Sequence, residues 1–244
     1  MRSEVMSFES SRATLTMYGW DDNTGKGVSS LRPALLIFPG GGYRHCSDRE
    51  ADPIAFSFLS RGYQCFILRY SVGEAASFEQ ALRDASTALH YLDDHAQSLG
   101  IDNDKIAVCG FSAGGHLAAS LGTMGDIRPN ALILGYPCIL SSMSSIFPFE
   151  VPSADQYVDE RTPETFLFHT FQDGLVPVEN PMAFATALDR YKVPFEFHLF
   201  RNGGHGLSLG NALTANGSEA LMEPDFAKWV DLCAAWLQHV FSKD

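Results

Sequence analysis

A serine with glycine two residues away on either side, Gly110-Phe111-Ser112-Ala113-Gly114, sets a hydroxyl where it can act as a nucleophile. The glycines let a strand and the helix after it approach without a Cβ clash, and the sharp turn between them lifts the hydroxyl above the sheet edge. A serine hydroxyl is a weak nucleophile unless a base takes its proton and a third group orients that base. His205, in Asn202-Gly203-Gly204-His205-Gly206, and Asp173, in Gln172-Asp173-Gly174-Leu175-Val176-Pro177, fit those two roles. Each follows an apolar run, and the glycines beside His205 allow its loop to fold back over the sheet. Serine, histidine and aspartate so arranged perform acyl transfer through a covalent acyl-enzyme.

The tetrahedral intermediate of such a reaction carries an oxyanion that needs N–H donors. Pro39-Gly40-Gly41-Gly42-Tyr43 follows the apolar run Ala34–Phe38, and its glycines permit close backbone approach. The expected donors are Gly41 and Gly42 from this loop and Ala113, the residue after the nucleophile, at a helix N-terminus. The other histidines lack a loop that could reach the serine. His116 lies on the helix after Ser112 and reads as structural; His198 and His169 fall in or at the end of strands; His90, His95 and His239 fall on helices. His45, just past the glycine run, is a candidate substrate contact together with Tyr43 and Tyr136. Asp155 and Asp159 read as solvated or substrate-facing rather than as the acid of the triad.

Short apolar runs rich in β-branched and aromatic residues alternate with segments of helical period, the pattern of an α/β protein with a mostly parallel sheet covered on both faces. The expected parallel strands are Ala34–Phe38, Cys65–Tyr70, Ile106–Phe111, Ala131–Tyr136, Thr165–His169 and Phe195–Phe200, with Arg12–Tyr18 as an antiparallel edge strand. Helices are expected over Ala51–Ser60, Phe78–Ser98, Ala113–Leu121, Pro181–Tyr191 and Asp225–Phe241. In the second, Phe78, Ala81, Leu82, Ala85, Leu89, Leu92 and Ala96 make one buried stripe. Residues 138–163 break the rhythm with serines and prolines and read as a small cap over the sheet's C-terminal edge, with Phe147-Pro148-Phe149 exposed-looking. The whole chain, 1–244, reads as one domain.

Lys+Arg 17 against Asp+Glu 29 leaves a formal charge of −12, which repels phosphate backbones and anionic membranes and argues against nucleic-acid partners. No apolar run is long enough to span a bilayer, and Met1–Ser11 has no secretory core, so a cytoplasmic protein is expected. Five widely spaced cysteines without a CxxC pair suit a reducing compartment. There is no HExxH, P-loop or GxGxxG, and neither a metal nor any cofactor is implied.

On Pro39–Tyr43, Gly110–Gly115, Ser47-Asp48-Arg49-Glu50-Ala51-Asp52-Pro53-Ile54-Ala55, Arg69-Tyr70-Ser71-Val72, Leu134-Gly135-Tyr136-Pro137 and the loops around Asp173 and His205, the chain resembles the acetylxylan-esterase-like and acetyl-esterase branch of the α/β-hydrolases, near the hormone-sensitive-lipase group. The resemblance covers nearly the whole chain and implies an α/β-hydrolase fold, a small-molecule ester substrate and removal of acetyl groups from small sugars or similar metabolites. Where the wider lipase group begins its oxyanion loop with histidine, this chain has Pro39, whose fixed φ stiffens the loop instead. The same triad would serve an arylformamidase or a small serine peptidase, and a non-catalytic binding protein on this scaffold is a further reading. The sequence leaves oligomeric state open, a homo-oligomer included.

Overall fold

In the computed structural model, which describes residues 2–8, 11–20 and 31–242, the apolar runs form a single sheet. Its strands are β1 (Arg2–Ser7), β2 (Thr14–Gly19), β3 (Arg32–Phe38), β4 (Gln64–Arg69), β5 (Ile101–Phe111), β6 (Ala131–Gly135), β7 (Glu164–Thr170) and β8 (Phe195–Phe200), in the spatial order β1-β2-β4-β3-β5-β6-β7-β8. β1 pairs antiparallel with β2 and β2 antiparallel with β4; every pairing from β4 to β8 is parallel. Because side chains alternate along a strand, β3 divides its apolar residues between two cores: Ala34, Leu36 and Phe38 on one face, Leu35 and Ile37 on the other. The first face is covered by α2 (Phe78–Asp94), α4 (Ala113–Met124) and α5 (Glu179–Arg190), the second by α1 (Asp52–Leu59) and α6 (Trp229–Val240). A short α3 (Ala96–Leu99) completes the set.

Several boundaries differ from expectation, each for a local reason. β1 has no apolar alternation and is mostly exposed, so its pairing comes from β2 rather than from a pattern of its own. β5 begins at Ile101, ahead of a charged stretch, because Arg32 pairs there across an irregularity in register. The helix from Phe78 is capped by the Ser77 hydroxyl, which accepts from Gln80 N (3.2 Å), but stops at Asp94; α3 then ends at Gly100, which is left-handed. The C-terminal helix opens with a 3-10 turn, Phe226–Lys228.

Residues 138–163 form two 3-10 turns, Ser141–Ile146 and Ala154–Tyr157. Ile139, Met143, Phe147, Val151, Ala154 and Val158 are buried in the first core, so the exposed reading of Phe147 does not hold. The segment is pinned where Asn180 Oδ1 accepts from Ile139 N and Leu140 N (2.9 and 3.0 Å) and where Arg128 grips Asp159.

Candidate active site

β5 ends at Phe111 and α4 begins at Ala113, so the whole turn falls on Ser112, at φ 54° and ψ −118°. A non-glycine residue at positive φ is strained, and surrounding contacts must hold it there. Ser112 N donates to Gly135 O (3.0 Å), while its carbonyl accepts from His116 N and Cys138 N (3.0 and 3.1 Å). The flanking glycines are sterically required: a Cβ at Gly114 would collide with the carbonyls of Phe38 and Pro39, and one at Gly110 with that of Gly114.

The C-terminal ends of β7 and β8 deliver the other two side chains. Ser112 Oγ lies 2.8 Å from His205 Nε2, and His205 Nδ1 lies 2.7 Å from Asp173 Oδ2. Asp173 Oδ1 accepts from Leu175 N and Val176 N, both at 2.9 Å. Burial pushes the Asp173 carboxyl up, but the hydrogen bond and charge of His205 and the two backbone N–H groups outweigh it, and its pKa is lowered. An ionised Asp173 only accepts, so Nδ1 of His205 carries the proton and Nε2 presents its lone pair to the serine hydroxyl. The imidazole also rests edge-on against Tyr136, with ring centroids 5.1 Å apart.

The glycine loop after β3 folds tightly over Ser112. Gly40 N points inward and donates to Glu50 Oε2 (2.8 Å), whereas the N–H groups of Gly41, Gly42 and Ala113 have no acceptor among the described residues. A Cβ on Gly40 would sit about 3.0 Å from Ser112 Cβ, which measures how close the loop comes. The other Glu50 oxygen, Oε1, accepts from Tyr136 O–H (2.5 Å), and the Tyr136 oxygen accepts in turn from Ser208 N (3.0 Å). One buried carboxylate thus joins the glycine loop, the tyrosine under His205 and the chain just beyond His205.

Tyr43 and Tyr136 require a correction. Both rings are buried in the two cores and both hydroxyls are engaged, so neither side chain faces a substrate. His116 Nε2 faces the carbonyl of Pro152 (2.8 Å), an acceptor only, so Nε2 holds the proton and Tyr43 O–H donates to Nδ1 (2.9 Å). Burial lowers the pKa of His116 to about 4, and the ring ties α4 to both the glycine loop and residues 138–163. His45 is exposed, on the same turn as Gly41. His169 is buried beneath the site with Nδ1 accepting from Thr170 N (2.9 Å) and lying 3.8 Å from Asp173, outside the relay. Asp159 is held by Arg128 and Arg161. Glu50 lies in the Ser47–Ala55 stretch on which the family resemblance rests, but the sequence assigns it no role; its local signal is a carboxylate close in sequence to three glycines. Among the described residues no group of three or more His, Cys, Asp or Glu could hold a metal ion.

A family model described as BD-FAE matches residues 24–133. Over its full length the chain is similar to MGS-M1, an alpha/beta hydrolase enzyme from a Medee basin deep-sea metagenome library, at 48% identity and a TM-score of 0.93, covering 100% of this chain and 99% of that one. It is also similar to an acetyl ester-xyloside bifunctional hydrolase from Caldicellulosiruptor lactoaceticus, at 32% identity and a TM-score of 0.79, covering 94% and 88% of the two chains. Endo-1,4-beta-xylanase B of Butyrivibrio fibrisolvens is 33% identical over 210 residues, which are 74% of this chain and 33% of that protein, so the chain spans about a third of this curated relative. Likeness over whole chains at 48% and 32% identity, carried on this sheet order, means that the chain belongs to the α/β-hydrolase family, on its esterase branch.

Proposed function

We propose that the protein is a serine hydrolase of short-chain carboxylic esters that removes acetyl groups from small acetylated sugars or similar metabolites. The observation that carries this reading is the unbroken relay from Ser112 Oγ through His205 to Asp173, at 2.8 and 2.7 Å, beside backbone N–H groups with no acceptor among the described residues. His205 Nε2 takes the hydroxyl proton as Ser112 Oγ bonds to the ester carbonyl carbon, and Asp173 stabilises the imidazolium. The carbonyl oxygen, now an oxyanion, is received by the N–H groups of Gly41, Gly42 and Ala113. Collapse expels the alcohol, which leaves with the proton from His205; water, deprotonated by the same nitrogen, then releases the acid and restores Ser112. The acetyl preference draws on the acetyl ester-xyloside hydrolase similar to this chain. A cytoplasmic setting is supported by five unpaired cysteines, four of them buried. No helix among the described residues is long and apolar enough to cross a membrane.

The test is initial hydrolysis of 4-nitrophenyl acetate, butyrate and octanoate by wild type and Ser112→Ala. Rapid turnover of acetate, slow turnover of octanoate and loss of both in the variant are expected. Equal rates for wild type and variant on every ester would remove the proposal.

A further inference from the structure

Beside the glycine loop, at the same edge of the sheet, lies a cavity of about 610 Å³ whose chemistry runs against that of the whole molecule. The chain carries a formal charge of −12, yet the described residues lining this cavity include Arg12, Arg44, Arg69 and His45 and no Asp or Glu. Topology brings the cations together. Thr14, at the start of β2, pairs with Arg69, at the end of β4, and Arg12, two residues before Thr14, lines the same cavity as Arg69. Arg44 and His45 arrive on the turn that follows Gly41, where Arg44 N and His45 N both donate to Gly41 O (3.0 and 3.4 Å). Ala75, Ala76 and Gln80 add the N-terminal end of the 17-residue helix α2, whose backbone dipole has the same sign.

Two of the guanidiniums have partners that a ligand can replace. Arg69 Nη2 pairs with Asp48 Oδ1 (2.7 Å), but that carboxylate is 83% exposed and lies outside the cavity wall. Arg44 Nη2 makes a long contact to Ile146 O (3.4 Å). Arg12 is exposed and has no ion-pair partner among the described residues. Guanidinium forks match planar carboxylates in shape as well as charge. Arg44 and His45 share a turn with the proposed oxyanion donor Gly41, so one wall of the cavity is built from the loop that folds over Ser112.

We propose that this cavity is a subsite for a carboxylate carried by the ester substrate, which makes acid-bearing esters, an acetylated uronic acid for example, preferred over neutral esters of the same size. The proposal rests on the ester-hydrolase reading and adds to it the charge of the substrate. The carboxylate can sit on the alcohol or on the acyl side, and the experiment separates the two.

Calorimetric titration of the 244-residue Ser112→Ala chain needs no turnover. One arm compares O-acetylated glucuronic acid with O-acetylated glucose; the other compares monomethyl succinate with methyl butyrate. In one arm the acid is expected to bind roughly tenfold tighter than its neutral twin, the size of one charge-assisted hydrogen bond, and the arm that shows the gap locates the carboxylate. Adding Arg12→Gln and Arg69→Gln should close it. Equal affinities within both pairs, or a gap that survives both substitutions, would overturn the subsite. Ester turnover by the wild type is read separately, so failure of the hydrolase reading and failure of the subsite give different results.

Discussion

Replacing Glu50 perturbs the site without touching any group of the relay. Its carboxylate is buried and accepts two hydrogen bonds, from Gly40 N (2.8 Å) and from Tyr136 O–H (2.5 Å). Glu50→Ala leaves both donors buried without an acceptor, at about 1–3 kcal/mol each, so roughly 4 kcal/mol of stability is at stake. Glu50→Gln is gentler. Its amide oxygen can keep the Gly40 bond while its NH2 donates to the Tyr136 oxygen, which leaves one phenol proton unmatched and about 1–2 kcal/mol lost. The kinetic effect follows from what Gly40 and Tyr136 hold. Gly40 precedes the proposed oxyanion donors, and one such donor is worth about 2.7–4 kcal/mol of barrier, or roughly 10²–10³ in kcat. Tyr136 supports the His205 ring. The expected result is a kcat on 4-nitrophenyl acetate at least tenfold lower in Glu50→Gln and lower again in Glu50→Ala, with KM little changed, because the donors act mainly on the transition state. Urea unfolding run alongside reports stability. A Glu50→Ala protein that stays folded and keeps kcat within twofold of wild type would refute the reasoning.

Asp173→Asn should retain the fold but favour the wrong His205 tautomer, lowering kcat by roughly 10⁴, as seen for generic triads; steady-state rates with circular dichroism as a folding control check it. His116 binds a proton less readily in the folded protein, where its pKa is about 4, than in the unfolded chain. Stability therefore falls as pH drops from about 6.5 to about 4, by on the order of 3 kcal/mol from this ring, and urea midpoints across that window should fall less in His116→Gln. The lowered pKa of Asp173 has the same sign: its contribution is present above the ordinary aspartate range and is lost as pH falls through its folded value. Gly114→Ala should abolish soluble expression, because the added Cβ meets the backbone carbonyls of Phe38 and Pro39, which cannot move without breaking β3.

The relay residues were legible because each lies just past an apolar strand, and glycines mark the two turns that must bend sharply, before Ser112 and around His205. The parallel strands were legible for the same reason: residues buried on both faces leave nearly unbroken apolar runs. β1 was not, since Arg2–Ser7 is an exposed edge whose pairing is dictated by its neighbour. Nor was the orientation of Tyr43 and Tyr136. An aromatic next to a functional loop reads the same whether it turns to solvent or to the core, and only the partners of the hydroxyls, His116 and Glu50, decide. Glu50 itself was hidden because burial of a carboxylate depends on donors that arrive from distant loops, which no local pattern records.

The most direct measurement of the central claim is covalent trapping of the nucleophile. Wild-type protein exposed to a fluorophosphonate and digested for peptide mass spectrometry should carry one adduct, on Ser112, formed far more slowly in His205→Ala. An intact protein that takes no adduct, or takes it on another serine, would contradict the assignment of Ser112, Asp173 and His205 as one catalytic unit.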